Sequence, residues 1–224
     1  MNDPDIEQRR TVVTALAAAI RNLTTTSIRS EVSIDDLRGA DELVQRASAI
    51  LGAEVRSGGH LSSVDDVDQN IRLFTPISGV GNPVAPPIRW VTRTDEQSLA
   101  RVTLDTRYEG PPRIAHGGIA AAILDEVLGS VASRSSHLAL TASLQLNYLR
   151  PLPLDTELEA RAEIVERAGR KTWVEGRLGT RAEPEVACVT ARALFITPSV
   201  ARSRDYFGRV MTADGRPAVT RRDG

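Results

Sequence analysis

The sequence predicts an α+β fold in which one long helix lies against a mostly antiparallel sheet. The helix is predicted from HGGIAAAILDEVLG, residues 116–129, where a glycine pair precedes a nearly continuous run of small and branched apolar residues. Such a run leaves little polar face, which is typical of a mostly buried helix. Segments with a period of two lie before and after it, and the later ones are separated by short turns. A strand, a helix and then successive strands form a two-layer fold of this kind.

Five segments are predicted to be strands. In residues 99–108 the side chains largely alternate between apolar and polar, which indicates a half-buried strand. The other four segments follow the helix and cover residues 141–148, 157–166, 172–180 and 186–196. One face of the last segment carries mostly small side chains, namely Ala187, Val189, Ala191, Ala193 and Phe195. A wall of small side chains lets the helix approach the sheet closely.

The first 85 residues are predicted to be a helical extension that ends in a connector. Residues 5–24 form an amphipathic helix whose apolar face carries Val12, Leu16, Ile20 and Leu23. A second helix begins at residues 33–36 or at 41–42, where polar side chains can cap free N–H groups. Residues 75–87 contain four of the 12 prolines and form the connector, because proline is excluded from helix interiors and central strands. The predicted domains are therefore residues 1–85, the α+β domain at 86–198, and a mobile tail at 199–224.

Composition and charge exclude several classes of protein. With 41% hydrophobic and 25% charged residues, the chain is typical of globular proteins. Its formal charge of −1 gives no case for a nucleic-acid or anionic-membrane partner. The single cysteine, Cys188, excludes an internal disulfide and suits a reducing cytoplasm, where we expect the protein to lie. The apolar run at residues 11–20 is too short to span a membrane and predicts a surface helix rather than an export signal.

No metal or other cofactor is predicted. The three histidines are His60, His116 and His137, and together with Cys188 they lack the spacing of metal ligands. His60 lies in a polar loop and is most simply a surface residue.

The glycine pair is the first candidate for chemistry. The first turn of a helix has N–H groups without internal partners, at the positive end of the helix dipole, and this position suits an oxygen that carries negative charge. Because Gly117 and Gly118 have no side chains, a ligand carbonyl could come within hydrogen-bond distance of their amides. The alternative is that the pair only makes a tight turn.

The adjacent acids Asp125 and Glu126 are the second candidate. A carboxylate within a buried helix is costly unless it is hydrogen-bonded or used. Neighbours on a helix differ by about 100° around its axis, so one acid can face a cleft while the other faces a second partner. The alternative is that the pair marks the single exposed edge of the helix. Thr141, at the start of the next predicted strand, carries a hydroxyl that could reach a carboxylate on this helix.

As a set, these motifs resemble a hotdog-fold acyl-CoA thioesterase of the PaaI-like group, within the 4-hydroxybenzoyl-CoA thioesterase superfamily. The resemblance rests on YEGPPRIAHGGIAAAILDEVLG, TASLQLNYLRPLPL, VERAGRKTWVEGRL and VACVTARALFI, and it covers about residues 88–197. It implies a central helix wrapped by the sheet. It also implies a homodimer, or a tetramer of two dimers, in which paired sheets form active sites across the interface. The first 85 residues lie outside the resemblance.

The resemblance also implies a reaction, the hydrolysis of an acyl-CoA thioester to a free acid and CoA. Asp125 takes the place of the nucleophile or general base, and Thr141 that of a hydroxyl that holds the aspartate or the attacking water. His116, Gly117 and Gly118 take the place of the motif whose backbone N–H meets the thioester carbonyl.

The implied activity is open to alternatives, because residue 110 departs from some relatives and the first 85 residues have no assigned role. Some relatives carry an asparagine six residues before the histidine, and this chain has Gly110 there. Arg150, Arg170 and Lys171, at turns beside the strands, are candidates for the CoA phosphates, but turn residues are usually just solvated. A non-catalytic acyl-CoA or lipid-binding module is therefore the main alternative. Hydratase or dehydratase chemistry is a further one.

Overall fold

A computed structural model describes residues 4–66, 71–136 and 138–218 of the chain. The helices in these ranges are α1 (Pro4–Ile28), α2 (Ile34–Gly52), α3 (Gly117–Ser136) and α4 (Val200–Phe207). The strands are β1 (Arg89–Arg93), β2 (Gln97–Thr103), β3 (Leu140–Tyr148), β4 (Glu157–Ala168), β5 (Lys171–Thr180) and β6 (Val189–Ile196). None of the helices described here is long and apolar enough to cross a membrane.

The six strands form one sheet in the order β1-β2-β4-β5-β6-β3. Every neighbouring pair is antiparallel. Helix α3 packs on β2 to β6 and supplies much of the core. The predicted α+β hotdog fold, a long central helix held against an antiparallel sheet, is confirmed. Strand β3 lies at an edge of the sheet. Among the described strands it pairs with β6 alone, which leaves its outer edge free within this part of the chain.

Helix α3 is held by apolar packing along almost its whole length. Several of its side chains are completely buried, namely Ile123, Leu124, Val127, Leu128 and Val131. Each buried side chain of this size contributes about 1.5–3 kcal/mol. On the facing strands small residues permit close approach. A Cβ at Gly176 would lie only 2.7 Å from Leu128 Cδ1. In β6, Val189, Ala191, Ala193 and Phe195 are all buried, as the small-residue face predicts.

The strand predicted at residues 99–108 is too long at its C-terminal end. Strand β2 ends at Thr103, and residues Thr106–Tyr108 form a short 3-10 helix. This turn is started by Asp105, whose carboxylate accepts a hydrogen bond from the Arg107 amide at 3.0 Å. Leu104 and Tyr108 are buried as the alternation predicts, so the pattern located the core side chains but not the end of the strand. Strand β1 was not predicted, because it is a short edge strand directly after the prolines.

Helix α1 is present where predicted, but it is rotated about its axis, so that only Ile20 of the predicted apolar face is half-buried. Among the predicted apolar residues, Val12, Leu16 and Leu23 are exposed, whereas Ala17 is the buried residue of this helix. The inward face is held largely by polar contacts. Arg10 Nε donates to the Val64 carbonyl at 2.9 Å. Arginine donors thus satisfy backbone carbonyls of the irregular segment beneath α1, a contact that a hydrophobic pattern does not reveal.

The remaining predictions concern the start of α2, the connector and the C-terminal segment. The first of the two predicted starts of α2 is confirmed, since Ser33 is its N-cap and accepts from the Asp36 amide. Residues 75–87 contain no regular element, as predicted for a connector. Helix α4 lies in the segment predicted to be a mobile tail, and residues 219–224 lie outside the described residues. The domain limits stay predictions.

Candidate active site

The start of α3 is capped by the histidine of the predicted motif. His116 Nδ1 accepts a hydrogen bond from the Gly118 amide at 3.0 Å. An accepting Nδ1 carries no proton, so the ring proton of neutral His116 is assigned to Nε2. The His116 amide donates to the Tyr108 carbonyl at 2.8 Å, which fixes the entry of the chain into the helix. His116 is therefore a capping residue in this structure, and the Gly118 amide already has an acceptor.

The Gly117 amide is the donor that this capping leaves open. It has no acceptor among the described residues, whereas the amides of Gly118 and Ile119 bond to the His116 ring and carbonyl. Tyr148 covers one side of this turn. Its hydroxyl donates to the Gly117 carbonyl at 2.9 Å, and a Cβ at Gly117 would lie 3.3 Å from the tyrosine ring. Tyr148 lies in the strand predicted at residues 141–148, and no motif in the sequence indicates this contact.

Asp125 is held by the hydroxyl predicted to reach it. Thr141 Oγ1 donates to Asp125 Oδ1 at 2.9 Å. A β-bulge makes this possible, since the register of β3 against β6 shifts between Thr141 and Ser143. Strict alternation would place Thr141 and Ser143 on the same face, but the extra residue turns Thr141 toward α3. Thr141 is exposed and Asp125 is half-buried, so the pair lies open beside the free edge of β3.

The neighbouring acid Glu126 points to a different part of the molecule. Ser78 of the connector donates to Glu126 Oε1 at 2.5 Å, and the Thr75 and Ser78 hydroxyls lie 3.2 Å apart. Neighbouring helix positions are about 100° apart. The two adjacent carboxylates therefore point in different directions, and Asp125 bonds to β3 whereas Glu126 bonds to the connector. Asp125 belongs to the candidate site, and Glu126 fastens the connector to α3.

Arg93 adds a positive charge on the Glu126 side. Burial lowers the pKa of Arg93, the charge of Arg134 acts in the same direction, and the charge of Glu126 opposes both. The Arg93 guanidinium lies 4.5 Å from the centre of the Trp90 ring. Glu126 therefore has a hydroxyl partner and a nearby cation on the side of α3 that carries no predicted catalytic residue.

Within one chain the two halves of the predicted site do not meet. Gly117 and Asp125 are eight residues apart on α3, which corresponds to about 12 Å along the helix. Each is tied to a different end of β3, Asp125 through Thr141 and Gly117 through Tyr148. Thr141 and Tyr148 are in turn about 23 Å apart along the strand. A single carbonyl group cannot bond both elements of the same chain.

The predicted CoA contacts are also divided between the two ends of the sheet. Arg150 follows the Tyr148 end of β3, whereas Arg170 and Lys171 lie in the β4–β5 turn at the Leu140 end. All three basic side chains are exposed. The structure therefore brings Arg170 and Lys171 together and places Arg150 apart from them.

Cys188 is not a competing nucleophile. It is buried, and this burial raises the pKa of its thiol despite the nearby charge of Arg150. A thiol in such surroundings stays protonated at neutral pH and is a poor nucleophile. Among the residues that the structure describes, no three His, Cys, Asp or Glu side chains form a metal-binding group. His137 lies outside the described residues, and the prediction of no metal stays a prediction.

The space around Gly110 is too small for an asparagine side chain. A Cβ at Gly110 would lie 3.0 Å from His116 Cα and 3.3 Å from His116 Cβ. Any side chain would therefore push on the residue that caps α3. We expect Gly110→Ala to lower the free energy of unfolding by about 1–3 kcal/mol through overpacking, measured by urea denaturation.

We expect Gly110→Asn to leave kcat for thioester hydrolysis unchanged or lower. A rise in kcat of about tenfold, 1.4 kcal/mol, would show that the loop has room for the amide.

The architecture and the arrangement around α3 define a hotdog domain with an acid and a glycine-started helix at opposite ends of an edge strand. Residues 113–188 match the Thioesterase superfamily. The chain is 33% identical over 88 residues to acyl-coenzyme A thioesterase THEM4 of Mus musculus, a match that covers 39% of this chain and 37% of that protein. The chain thus spans little more than a third of the length of this relative. The family match lies within the predicted hotdog domain and confirms the resemblance to this superfamily.

A solved structure extends this likeness beyond the hotdog domain. The thioesterase superfamily protein RHA08564 is 28% identical, with a TM-score of 0.71, and the match covers 82% of this chain and 94% of that chain. Residues 86–224 make up less than two thirds of the chain, so the match includes part of the first 85 residues. The N-terminal extension is therefore shared, at least in part, with a protein of the same superfamily.

Proposed function

We propose that the protein hydrolyses acyl-CoA thioesters to a free acid and CoA, at sites that two copies of the chain build together. The observation that carries this proposal is the pair of hydrogen bonds from β3. Thr141 holds Asp125 at one end of the strand, and Tyr148 holds the Gly117 turn at the other. Both ends lie on a strand whose outer edge is free.

Antiparallel pairing of β3 with the same strand of a second copy brings the two ends together. If the twofold axis passes through Gln145, Leu144 lies opposite Leu146 of the partner subunit, and the bulge between Thr141 and Ser143 brings Thr141 opposite Tyr148 of the partner subunit. Asp125 then faces Gly117 of the partner subunit across the interface. Twofold pairing of an exposed edge strand also removes its unpaired backbone groups. Two equivalent sites result, each with an acid from one chain and an amide from the other.

The same pairing gathers the predicted CoA contacts. Lys171, Ile196 and Leu140 lie in one row of the sheet, so the Leu140 end of β3 also carries Arg170 and Lys171. Across the axis this end meets the Tyr148 end of the partner subunit, with its Arg150. Three basic side chains then flank each site, and they suit the phosphates of CoA.

The chemistry follows from what each element offers. The Gly117 amide donates to the thioester oxygen, on which negative charge develops as the tetrahedral intermediate forms, and such a donor is typically worth about 3 kcal/mol. Asp125 either attacks the acyl carbon directly or accepts a proton from the water that attacks it. Collapse of the intermediate breaks the C–S bond and releases the CoA thiolate, which takes up a proton. If water attacked, the free acid is formed in this step; if Asp125 attacked, water then hydrolyses the acyl–Asp125 anhydride to the free acid and restores the carboxylate. Thr141 keeps the reacting carboxylate oriented toward the interface.

The test is release of CoA thiol from a panel of acyl-CoA substrates that covers medium-chain, long-chain and aromatic acyl groups, followed with a thiol reagent. We expect turnover of at least one class. Crotonyl-CoA hydration, followed in parallel by loss of enoyl absorbance, is expected to be absent. Thermal stabilisation by acyl-CoA without thiol release from any substrate would favour the non-catalytic binding module and contradict the proposal.

A further inference from the structure

Residues 31–60 form an arm that is exposed along its whole length. Every one of these 30 residues is exposed, including all of helix α2. The arm leaves the domain after α1, which is tied by Thr25 Oγ1 to Asp105 Oδ2 at 3.1 Å. It returns where the Leu61 amide donates to the Met211 carbonyl at 2.8 Å. Both of its ends are thus fixed to the domain, while every residue of the helix between them is exposed in the described structure.

Helix α2 has an apolar stripe that no other described residue covers. The stripe carries Leu37, Leu43, Val44, Ile50 and Leu51, whose exposed fractions range from 42% to 76%. The other side of α2 carries solvent-exposed ion pairs, including Arg38–Asp35 at 3.0 Å. Most helical stability in proteins comes from packing of such an apolar face. An isolated stripe of this size indicates a partner outside the chain.

Helix α1 presents a second unpartnered stripe. Val12, Leu16 and Leu23, at spacings of four and seven residues, are 60%, 39% and 46% exposed. Because the opposite face of α1 is fixed to the domain, this stripe is turned outward. Twelve of the twenty exposed large apolar side chains in the described residues lie between Val12 and Val55, so the exposed apolar surface is concentrated on these two helices.

The total surface is too large for an isolated compact chain. A compact protein of 24.2 kDa exposes about 10,000 Å², whereas this chain exposes 14122 Å². The excess of about 4,000 Å² exceeds the area that one subunit contributes to a large obligate homodimer interface. Pairing through β3 alone covers one strand edge, so a second interface is needed to bury the helical stripes.

We infer that the arm clasps a second copy of this chain, with the α2 stripe of each copy packed on the outward α1 stripe of the other. The stripes are of comparable length, since residues 12–23 and 37–51 span about 16 and 21 Å along their helices. When each copy packs its α2 on the α1 of the other, the two copies are related by a twofold axis. The assembly then contains two equivalent α1–α2 contacts, and both stripes of both copies are buried. Charge supports the choice of partner, because α2 has two more acidic than basic residues and α1 has one more basic than acidic residue.

A membrane surface fits these residues less well. Helices that lie on anionic membranes carry lysine and arginine on their polar face. The polar residues of α2 include Asp35, Asp36, Asp41 and Glu42, against only Arg38 and Arg46. Such a helix is repelled by anionic lipid, whereas a second α1 offers an apolar surface of opposite net charge.

The decisive experiment is a cross-link between differently labelled chains. A tagged Leu16→Cys chain is mixed with an untagged Val44→Cys chain, and the full-length proteins are treated with a short bifunctional maleimide. We expect a cross-linked species that contains one chain of each kind, identified by mass spectrometry, and none from the parent chain, whose Cys188 is buried. Cross-links confined to pairs of Val44→Cys chains would mean that α2 packs on α2 and overturn the inference. If no mixture gave a cross-link, the stripes would be covered by a different protein or a lipid. That result would also overturn the inference.

A matched pair of variants tests the energetics. Leu43→Lys/Ile50→Lys places two charges in the stripe, whereas Gln45→Lys/Ala49→Lys places two on the polar side of the same helix. In sedimentation over a dilution series, we expect the stripe variant to dissociate at protein concentrations at least about tenfold higher than the parent, or to form a smaller assembly. We expect the control to match the parent. Equal behaviour of the two variants would overturn the inference. The readout is assembly rather than turnover, so its outcome is independent of the proposed activity.

Discussion

Asp125→Asn is expected to lower kcat for acyl-CoA hydrolysis by about 10²–10⁴-fold, the usual contribution of a general base. Asparagine keeps the shape of the side chain and can still accept the Thr141 hydrogen bond, but it can neither take a proton from water nor attack the acyl carbon. KM for the acyl-CoA should change little, because the carboxylate does not bind the CoA moiety. Steady-state thiol release, with circular dichroism to check folding, measures the effect.

The adjacent acid provides a matched control. Glu126→Gln removes a carboxylate of α3 that bonds to Ser78 on the connector side, and we expect kcat within a few fold of the parent. Equal losses in the two variants would mean that helix damage, and not chemistry, lowers the rate. A folded Asp125→Asn protein with turnover near that of the parent would show that Asp125 is not the reacting acid.

Mixing two inactive variants is expected to restore activity if each site draws on two chains. Asp125→Asn removes the acid, and Gly117→Val places a branched side chain against the Tyr148 ring, where even a Cβ has only 3.3 Å, and shields the amide. In a mixed dimer one site carries both defects and the other carries none. Random pairing therefore yields about a quarter of the parent number of intact sites. The experiment is unfolding and refolding of the two variants together, followed by the thiol-release assay.

The refolded single variants and an unmixed blend of the two are the controls for this experiment. If each site lay within one chain, every site in the mixture would carry a defect and no activity would return. Absence of recovery in samples that contain mixed dimers, identified by a tag on one variant, would refute the shared site. The Asp125→Asn assay alone does not distinguish a shared site from a single-chain site.

The sequence predicted the fold well because the core obeys simple periodicities. The run after Gly118 is apolar on nearly all sides, and in the structure four of its side chains, Ile123, Leu124, Val127 and Leu128, are completely buried. The alternation of residues 186–196 located the buried face of β6 correctly. Where polar groups decide the packing, the same reasoning failed. Helix α1 turns Arg10 and Arg21 inward to backbone carbonyls, whereas hydropathy assigned to the core a face of which only Ile20 is half-buried.

The candidate site was predictable as a set of residues but not as a geometry. The link between Thr141 and Asp125 depends on a bulge that no residue of TASLQLNY announces, since none is glycine or proline. The role of Tyr148 and the capping by His116 are set by contacts between residues distant in sequence or by ring orientation. The distance between Gly117 and Asp125, in contrast, follows from the helix rise alone.

The two carboxylates of α3 have one more consequence. A cylinder-like helix could rotate about its own axis with little change in apolar contact, but two adjacent residues are bonded in directions about 100° apart. Asp125 is tethered to β3, and Glu126 is tethered to the serine of the proline-rich segment. Any rotation that relaxes one tether strains the other, so the direction of the Asp125 side chain around the helix axis is set from both sides. Ser78, which precedes the predicted hotdog domain, thus helps to orient the proposed reacting acid.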